Sequence, residues 1–183
     1  MRKALIGILL TCFTSGAAFA DPDGLPPWKH VLALSPGAIE LIRESVARSS
    51  IVESMLQELE ESGVVVYISD LMPGRAVGPA SYLTYLSNDE KARYLLVRID
   101  RFRTTPYERI ALLGHELQHA LEVVAAPEVR DASGLAKLYR RIGWEGQENK
   151  FETAAAQTVG NRVRSQLAKG DDRKRAAVVA SNP

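Results

Sequence analysis

Cysteine is almost absent from this chain: its 183 residues include a single one, Cys12. Cys12 lies in an N-terminal segment that we expect to be cleaved off, so the mature protein is predicted to have none. A disulfide framework and a thiolate metal site are thereby excluded. A metal ion held by this protein would need nitrogen and oxygen ligands.

A marked excess of charge is also lacking, since 23 basic side chains face 22 acidic ones. Loss of the predicted signal removes Arg2 and Lys3 and leaves the acidic side chains in excess by one. Nothing in this balance attracts nucleic acid, and no nucleic-acid partner is expected. Internal repeats and long low-complexity segments are missing as well.

The chain has no apolar run at its start that is long enough to span a bilayer. Met1–Ala20 combines Arg2 and Lys3 with the apolar run Ala4–Phe13 and the A-x-A pattern Ala18–Ala20. These features predict a cleavable signal peptide, an exported protein in the periplasm or outside the cell, and no stable membrane insertion after cleavage.

The remaining chain has the length of one domain with one core. We predict a proline-rich leader over residues 21–34, a folded domain over 35–168 and a flexible C-terminal tail over 169–183. Hydrophobic periodicity and capping residues predict the following elements. They are a helix from Ser35-Pro36 to about Arg48, a second helix ended by Ser62-Gly63, a strand Val64–Ile68, a loop Asp70–Pro79, a hairpin of Tyr82–Leu86 and Tyr94–Ile99, a helix Pro106–Ala125 with a Thr105/Glu108 capping box, a helix Ala132–Ile142, a glycine-rich loop around Trp144 and a helix from about Lys150 to Leu167.

A possible metal site lies inside the long helix, where His115, Glu116 and His119 form an H-E-x-x-H pattern. Histidines four residues apart share one helical face, so both rings can reach one ion. Glu116 is rotated by about 100° from His115 and flanks that face, where its carboxylate can act as the general base for a zinc-activated water. Two alternatives remain: ordinary half-buried helix residues without a metal, and a zinc ion with a purely structural role.

The segment Leu112–Leu121 resembles the active-site helix of the zincin metallopeptidases. Glu122 and Ala125 stand where the metzincin branch requires a glycine and a third histidine, so the resemblance is to the gluzincin branch. That resemblance implies an α+β zincin-like fold, with a small sheet beside the motif helix, and a glutamate on a later helix as the third zinc ligand.

Glu152 is the best candidate for that third ligand. Its predicted helix places it on a face with Ala155, Ala156 and Val159, which points a carboxylate toward the core. The alanines let this helix approach the motif helix closely. In the competing interpretation, Glu152 only closes a capping box with Asn149.

Glu122 is the main rival as third ligand. It follows the same helical stripe as the histidines, but seven residues place it about 10 Å along the axis from His115, a long reach for one coordination sphere. Otherwise we expect Glu122 to support the ligands from outside the metal shell or to be solvated. Tyr139, Arg140 and Arg141 are possible donors to a developing oxyanion, and none is preferred.

Together, these residues predict an exported zinc-dependent metallopeptidase whose metal is bound by His115, His119 and Glu152. Its partner is a peptide or protein substrate, and in the zincin pattern Tyr94–Ile99 would pair with it as an extended strand. A zinc hydrolase of small amides or cell-wall peptides is an alternative within the same chemistry. A non-catalytic exported zinc-binding module is another.

Overall fold

The computed structural model describes residues 28–70, 78–145 and 151–180, with side chains up to residue 171 in the last stretch. The predicted signal, the first half of the leader, the central part of the loop after Asp70 and residues 146–150 of the glycine-rich loop lie outside these residues. The described elements are, in chain order, β1 Val31–Ala33, α1 Pro36–Arg48, α2 Ser50–Glu60, β2 Val64–Ser69, β3 Ser81–Asn88, β4 Arg93–Ile99, α3 Pro106–Val124, α4 Ala132–Ile142, β5 Trp144–Glu145, β6 Phe151–Glu152 and α5 Ala154–Ala180.

Four strands form a mixed sheet in the order β1-β2-β4-β3. β1, β2 and β4 are parallel, and β3 is antiparallel to β4 at one edge, which confirms the predicted hairpin and the α+β class. β1 was not predicted from the sequence. Three residues in the leader are too few to show an alternating pattern, and Val31 is held in the sheet by its pairing with Val66 of β2.

The predicted starts of α1 and α3 are confirmed, and their caps explain them. The Ser35 side chain accepts a hydrogen bond from the Ala38 backbone N–H at the start of α1. Thr105 and Glu108 form the expected capping box at the start of α3. Each cap satisfies backbone donors that have no partner within the helix, so the chain enters the helix at a defined residue.

The hydrophobic core lies between the sheet and α3. Alternate residues of the two central strands are fully buried, as period-two alternation requires for one face of a sheet. The inward residues of this face are Val64, Val66, Ile68, Leu95, Val97 and Ile99. Leu113, Leu117 and Ala120 of α3 are also fully buried, and this burial fixes the rotation of the helix that carries the histidines.

The last helix differs from its prediction at both ends. It begins at Ala154, because the Thr153 side chain accepts from Ala156 N–H and the Thr153 carbonyl accepts from Gln157 N–H. Glu152 therefore precedes the helix and lies in β6, so its predicted helical position was wrong. At the other end α5 continues to Ala180, through most of the segment predicted to be a flexible tail.

Trp144 lies in the short strand β5, where the sequence had predicted a loop. No helix in the described ranges combines the length and hydrophobicity that crossing a bilayer requires.

Arg93, at the start of β4, is a buried charge that closes the C-terminal end of α3. Its guanidinium donates to the carbonyls of Val123 at 2.6 Å and Ala126 at 2.8 Å, and its exposed fraction is 7%. Burial lowers the pKa of Arg93 from its usual value. The negative end of the helix dipole and the carbonyls of Val123 and Ala126 compensate for this burial, so Arg93 joins the sheet to the motif helix.

Replacing Arg93 with methionine should lower the free energy of unfolding by about 2–4 kcal/mol, because it removes two charge-assisted hydrogen bonds to carbonyls at the C-terminal end of α3. Urea denaturation measures this change. Arg98→Met is the matched control on the same strand, where the side chain is more exposed, and should cost much less. Equal losses for both variants would contradict the capping role of Arg93.

Candidate metal centre

The two histidines of the motif lie one turn apart on α3 and face the same space. Their ring centroids are 4.9 Å apart, and the rings are nearly perpendicular. His119 is buried, whereas His115 is partly exposed, so the pair lies at the boundary between the core and the solvent. The predicted placement of His115 and His119 on one face is therefore confirmed.

Glu152 reaches the histidines from β6 instead of from a helix. Its Oε1 lies 3.4 Å from Nε2 of His115. The two-residue pairing with β5 holds this part of the chain, with Glu152 opposite Trp144. Gly143 makes the close approach possible, because a Cβ atom at that position would lie 2.0 Å from the Glu152 carbonyl oxygen.

His115, His119 and Glu152 each offer one ligand atom, and these atoms lie within 4.8 Å of one another. In a tetrahedral zinc site, neighbouring ligand atoms are roughly 3.3 Å apart, given bond lengths near 2.0–2.1 Å. The distance of 3.4 Å between His115 and Glu152 already matches this value. Two imidazoles and one carboxylate are a donor set that suits zinc, so the residues fit the metal that the sequence predicts.

The charges of the site favour a bound cation. The pKa of His115 is raised: burial lowers it, but the hydrogen bond to Glu152 and the charges of Glu116 and Glu152 outweigh that effect. The hydrogen bond from His115 lowers the pKa of Glu152 in turn. Each group therefore stabilises the charged form of the other. A metal ion that binds here replaces the proton on His115.

Glu122 supports His119 instead of joining the three ligand atoms. One carboxylate oxygen lies 2.9 Å from Nδ1 of His119, and the other accepts a hydrogen bond of 2.6 Å from the Thr153 hydroxyl. With Nδ1 engaged, His119 presents Nε2 to the site. We expected Glu122 to be either the third ligand or a support outside the metal shell. The structure places it outside the cluster of ligand atoms.

Thr153 was not anticipated from the sequence. It bonds to Glu122 and caps α5, and it directly follows Glu152. A single residue thus ties the motif helix, the carboxylate strand and the last helix together. In the sequence, the one indication of this role is that a threonine, a common N-cap, directly precedes a run of alanines. The cap was not recognised because the helix was predicted to begin earlier, at about Lys150.

Glu116 is a buried carboxylate, 4% exposed, and accepts a hydrogen bond of 2.6 Å from the Ser81 hydroxyl. Ser81 is the first residue of the edge strand β3, so the sheet holds the carboxylate at a defined position beside the histidines. No local sequence pattern indicates this serine, because 35 residues separate it from Glu116.

α5 packs closely on α3 through small residues, though not all of those predicted. Ala156 and Gly160 are buried, and a Cβ atom at Gly160 would lie 3.5 Å from Cβ of His115. On the opposing helix, a Cβ atom at Gly114 would lie 2.9 Å from a methyl group of Val163. Ala155 is exposed, so its predicted place on the buried face was wrong. Val163 and Leu167, farther along the same helix, are buried, so the departure is confined to the first turn.

The residues considered as oxyanion donors have other partners. Tyr139 is buried, its ring centroid lies 5.1 Å from that of His119, and its hydroxyl donates to the His119 carbonyl. Burial raises the pKa of Tyr139 well above its usual value. Arg140 lies over the Phe151 ring, and Arg141 pairs with Glu128 at 2.8 Å. Tyr139 is thus a packing residue.

The strand predicted to pair with substrate occupies a different position in the sheet. Residues Tyr94–Ile99 belong to β4, which is hydrogen-bonded to β2 on one side and to β3 on the other. Both of its sides are occupied, so this prediction was wrong. The edge beside the site belongs to β3, which begins at Ser81.

Comparisons with protein-family models, with curated proteins and with solved structures give no match to this chain.

Substituting alanine for Gly143 should weaken zinc binding, because the added Cβ overlaps the Glu152 backbone and displaces the carboxylate. We expect a loss of about 10–100-fold in affinity, measured by competition with a chromophoric chelator. Gly170→Ala is the matched control, since a Cβ there meets nothing within 4 Å. If Gly143→Ala binds zinc as the wild type does, β5 does not position Glu152.

Proposed function

We propose that the protein is a zinc-dependent metallopeptidase that resembles the gluzincins, with His115, His119 and Glu152 as ligands and Glu116 as the general base. The observation that carries the proposal is the convergence of three ligand atoms within 4.8 Å beside a buried carboxylate. Its zincin-like fold and its export by the N-terminal signal are parts of the same proposal.

The division of chemical work follows from the side chains. A zinc ion bound here supplies a Lewis acid, which lowers the pKa of water and polarises a carbonyl group. Glu116 accepts the proton of the attacking water and passes it to the amine nitrogen that leaves. Ser81 holds one oxygen of Glu116 through a hydrogen bond of 2.6 Å, which keeps that carboxylate in one orientation.

A peptide substrate is favoured by the edge strand. β3 is the edge strand in the described part of the sheet, and its first residue contacts Glu116. An extended peptide can add to such an edge through backbone hydrogen bonds, which places its bonds next to the site with little dependence on sequence. β3 thus takes the role that the sequence analysis gave to Tyr94–Ile99.

A purely structural zinc ion is less consistent with this geometry. Structural sites usually have four protein ligands, whereas the described residues supply a cluster of three. The nearby Glu122 has both oxygens engaged by His119 and Thr153. Among the described residues no fourth ligand joins the cluster, and we assign the fourth position to water, as a hydrolase requires.

The test of this function is Glu116→Gln, which keeps the shape of the side chain and removes its basicity. We expect turnover of unfolded casein to fall by about 10²–10⁴-fold, with zinc affinity unchanged. Removing zinc with a chelator should abolish turnover of the wild type, and adding zinc should restore it. Glu58→Gln, which neutralises an exposed carboxylate on α2, is the control and should have no effect.

Two results would contradict the peptidase. Equal turnover of Glu116→Gln and wild type would exclude Glu116 as the base. If the wild type binds zinc but hydrolyses only small amides, the same chemistry would belong to a different substrate class.

Ser81→Ala should reduce kcat on casein by about tenfold without changing zinc affinity, because it releases the Glu116 carboxylate from its fixed orientation. Ser87→Ala removes an exposed hydroxyl from the same strand and should leave kcat unchanged. A parallel fall in zinc affinity for Ser81→Ala would instead indicate that Ser81 supports the fold around the metal.

A further inference from the structure

One exposed aromatic side chain lies beside the metal cluster and has no part in the chemistry above. Trp144 is 44% exposed and is directly opposite Glu152 in the β5–β6 pair. Side chains that are directly opposite in an antiparallel pair project from the same face, with Cβ atoms about 4.5–5.5 Å apart. Because Glu152 projects toward His115, the indole projects from the face that carries the metal ligand.

The other face of this pair is already occupied. Phe151, the neighbour of Glu152, has its ring centroid 6.0 Å from that of Tyr139 and lies under the guanidinium of Arg140. These contacts hold the pair against α4, so Trp144 is carried on a fixed support. The side chain of Trp144 is therefore exposed although the strand that carries it is packed against the fold.

Exposure of an indole is unfavourable, because its large apolar surface stays in water. Ile142, two residues earlier in the chain, is also 42% exposed, so Trp144 is not the only exposed apolar side chain in this stretch. Ligand sites typically combine a few polar reactive groups with apolar walls that bind the neighbouring parts of the ligand. Here the reactive groups are His115, His119, Glu116 and Glu152.

We propose that Trp144 forms the wall of a substrate subsite that binds a large apolar side chain, aliphatic or aromatic, of the residue next to the cleaved bond. This inference rests on the proposed peptidase function and names its substrate class: peptides with a leucine-like or phenylalanine-like residue beside the scissile bond. An indole favours such a side chain over a small or an acidic one, because contact removes apolar surface from water on both partners.

The binding experiment uses leucine hydroxamate and glycine hydroxamate, which share the chelating group and differ only in the apolar side chain. Trp28→Phe leaves Trp144 as the only tryptophan of the chain, so the fluorescence of the zinc-loaded protein reports binding at this position. We expect leucine hydroxamate to bind about tenfold more tightly, together with a change in the Trp144 emission. Trp144→Ala, followed by calorimetry, should reduce this preference to about twofold or less.

A cleavage experiment then addresses specificity. Mass spectrometry of a mixed peptide library should show wild-type cleavage beside large apolar residues. Trp144→Ala should lose about tenfold in kcat/KM on peptides with leucine or phenylalanine at this position, mainly through KM, and little on peptides with alanine there. Phe102→Ala is the control, since Phe102 is 77% exposed and follows β4, and it should change neither preference.

The outcomes separate the two proposals. Equal affinity for the two hydroxamates, or an equal loss on all peptides, would overturn the subsite. A wild type that prefers leucine hydroxamate through Trp144 but cleaves no peptide would refute the peptidase and keep the apolar subsite.

Discussion

The site depends on a carboxylate and an imidazole that approach each other from different parts of the chain. Glu152 lies 3.4 Å from His115, and each shifts the pKa of the other toward the charged form. Both side chains are partly buried, so each charge is stabilised by the other or by a cation. The surrounding contacts serve this approach: Gly143 leaves room for the Glu152 backbone, and Gly160 leaves room beside His115.

A second set of polar contacts fixes the orientation of the groups. Glu122 holds His119 and is itself held by Thr153, while Ser81 holds Glu116. Both carboxylates belong to α3, and their partners come from the sheet edge and from the start of α5. The motif helix is thereby bound to its neighbours through the residues that would carry the chemistry. A substitution that disturbs the packing around α3 should therefore also change the orientation of His119 and Glu116.

Local signals were sufficient for much of this arrangement. The capping box at Thr105 and the period of the apolar residues predicted α3, and the spacing of His115 and His119 predicted that they share a face. Glu152 was identified, but for a reason that proved wrong, because the helical period was extended past the Thr153 cap. Ser81 and Thr153 had no sequence signal tying them to the site, since their role arises from contacts between distant segments. The order of strands was equally inaccessible, because pairing of β4 with β2 depends on the tertiary fold.

X-ray absorption at the zinc edge tests the central claim most directly, using the purified protein loaded with one equivalent of zinc. Scattering from imidazole rings should correspond to two histidines, with oxygen as the remaining ligand type, no sulfur, and zinc–nitrogen distances of about 2.0–2.1 Å. Failure to retain the zinc, or a spectrum without a pair of imidazoles, would contradict a metal centre built on His115 and His119.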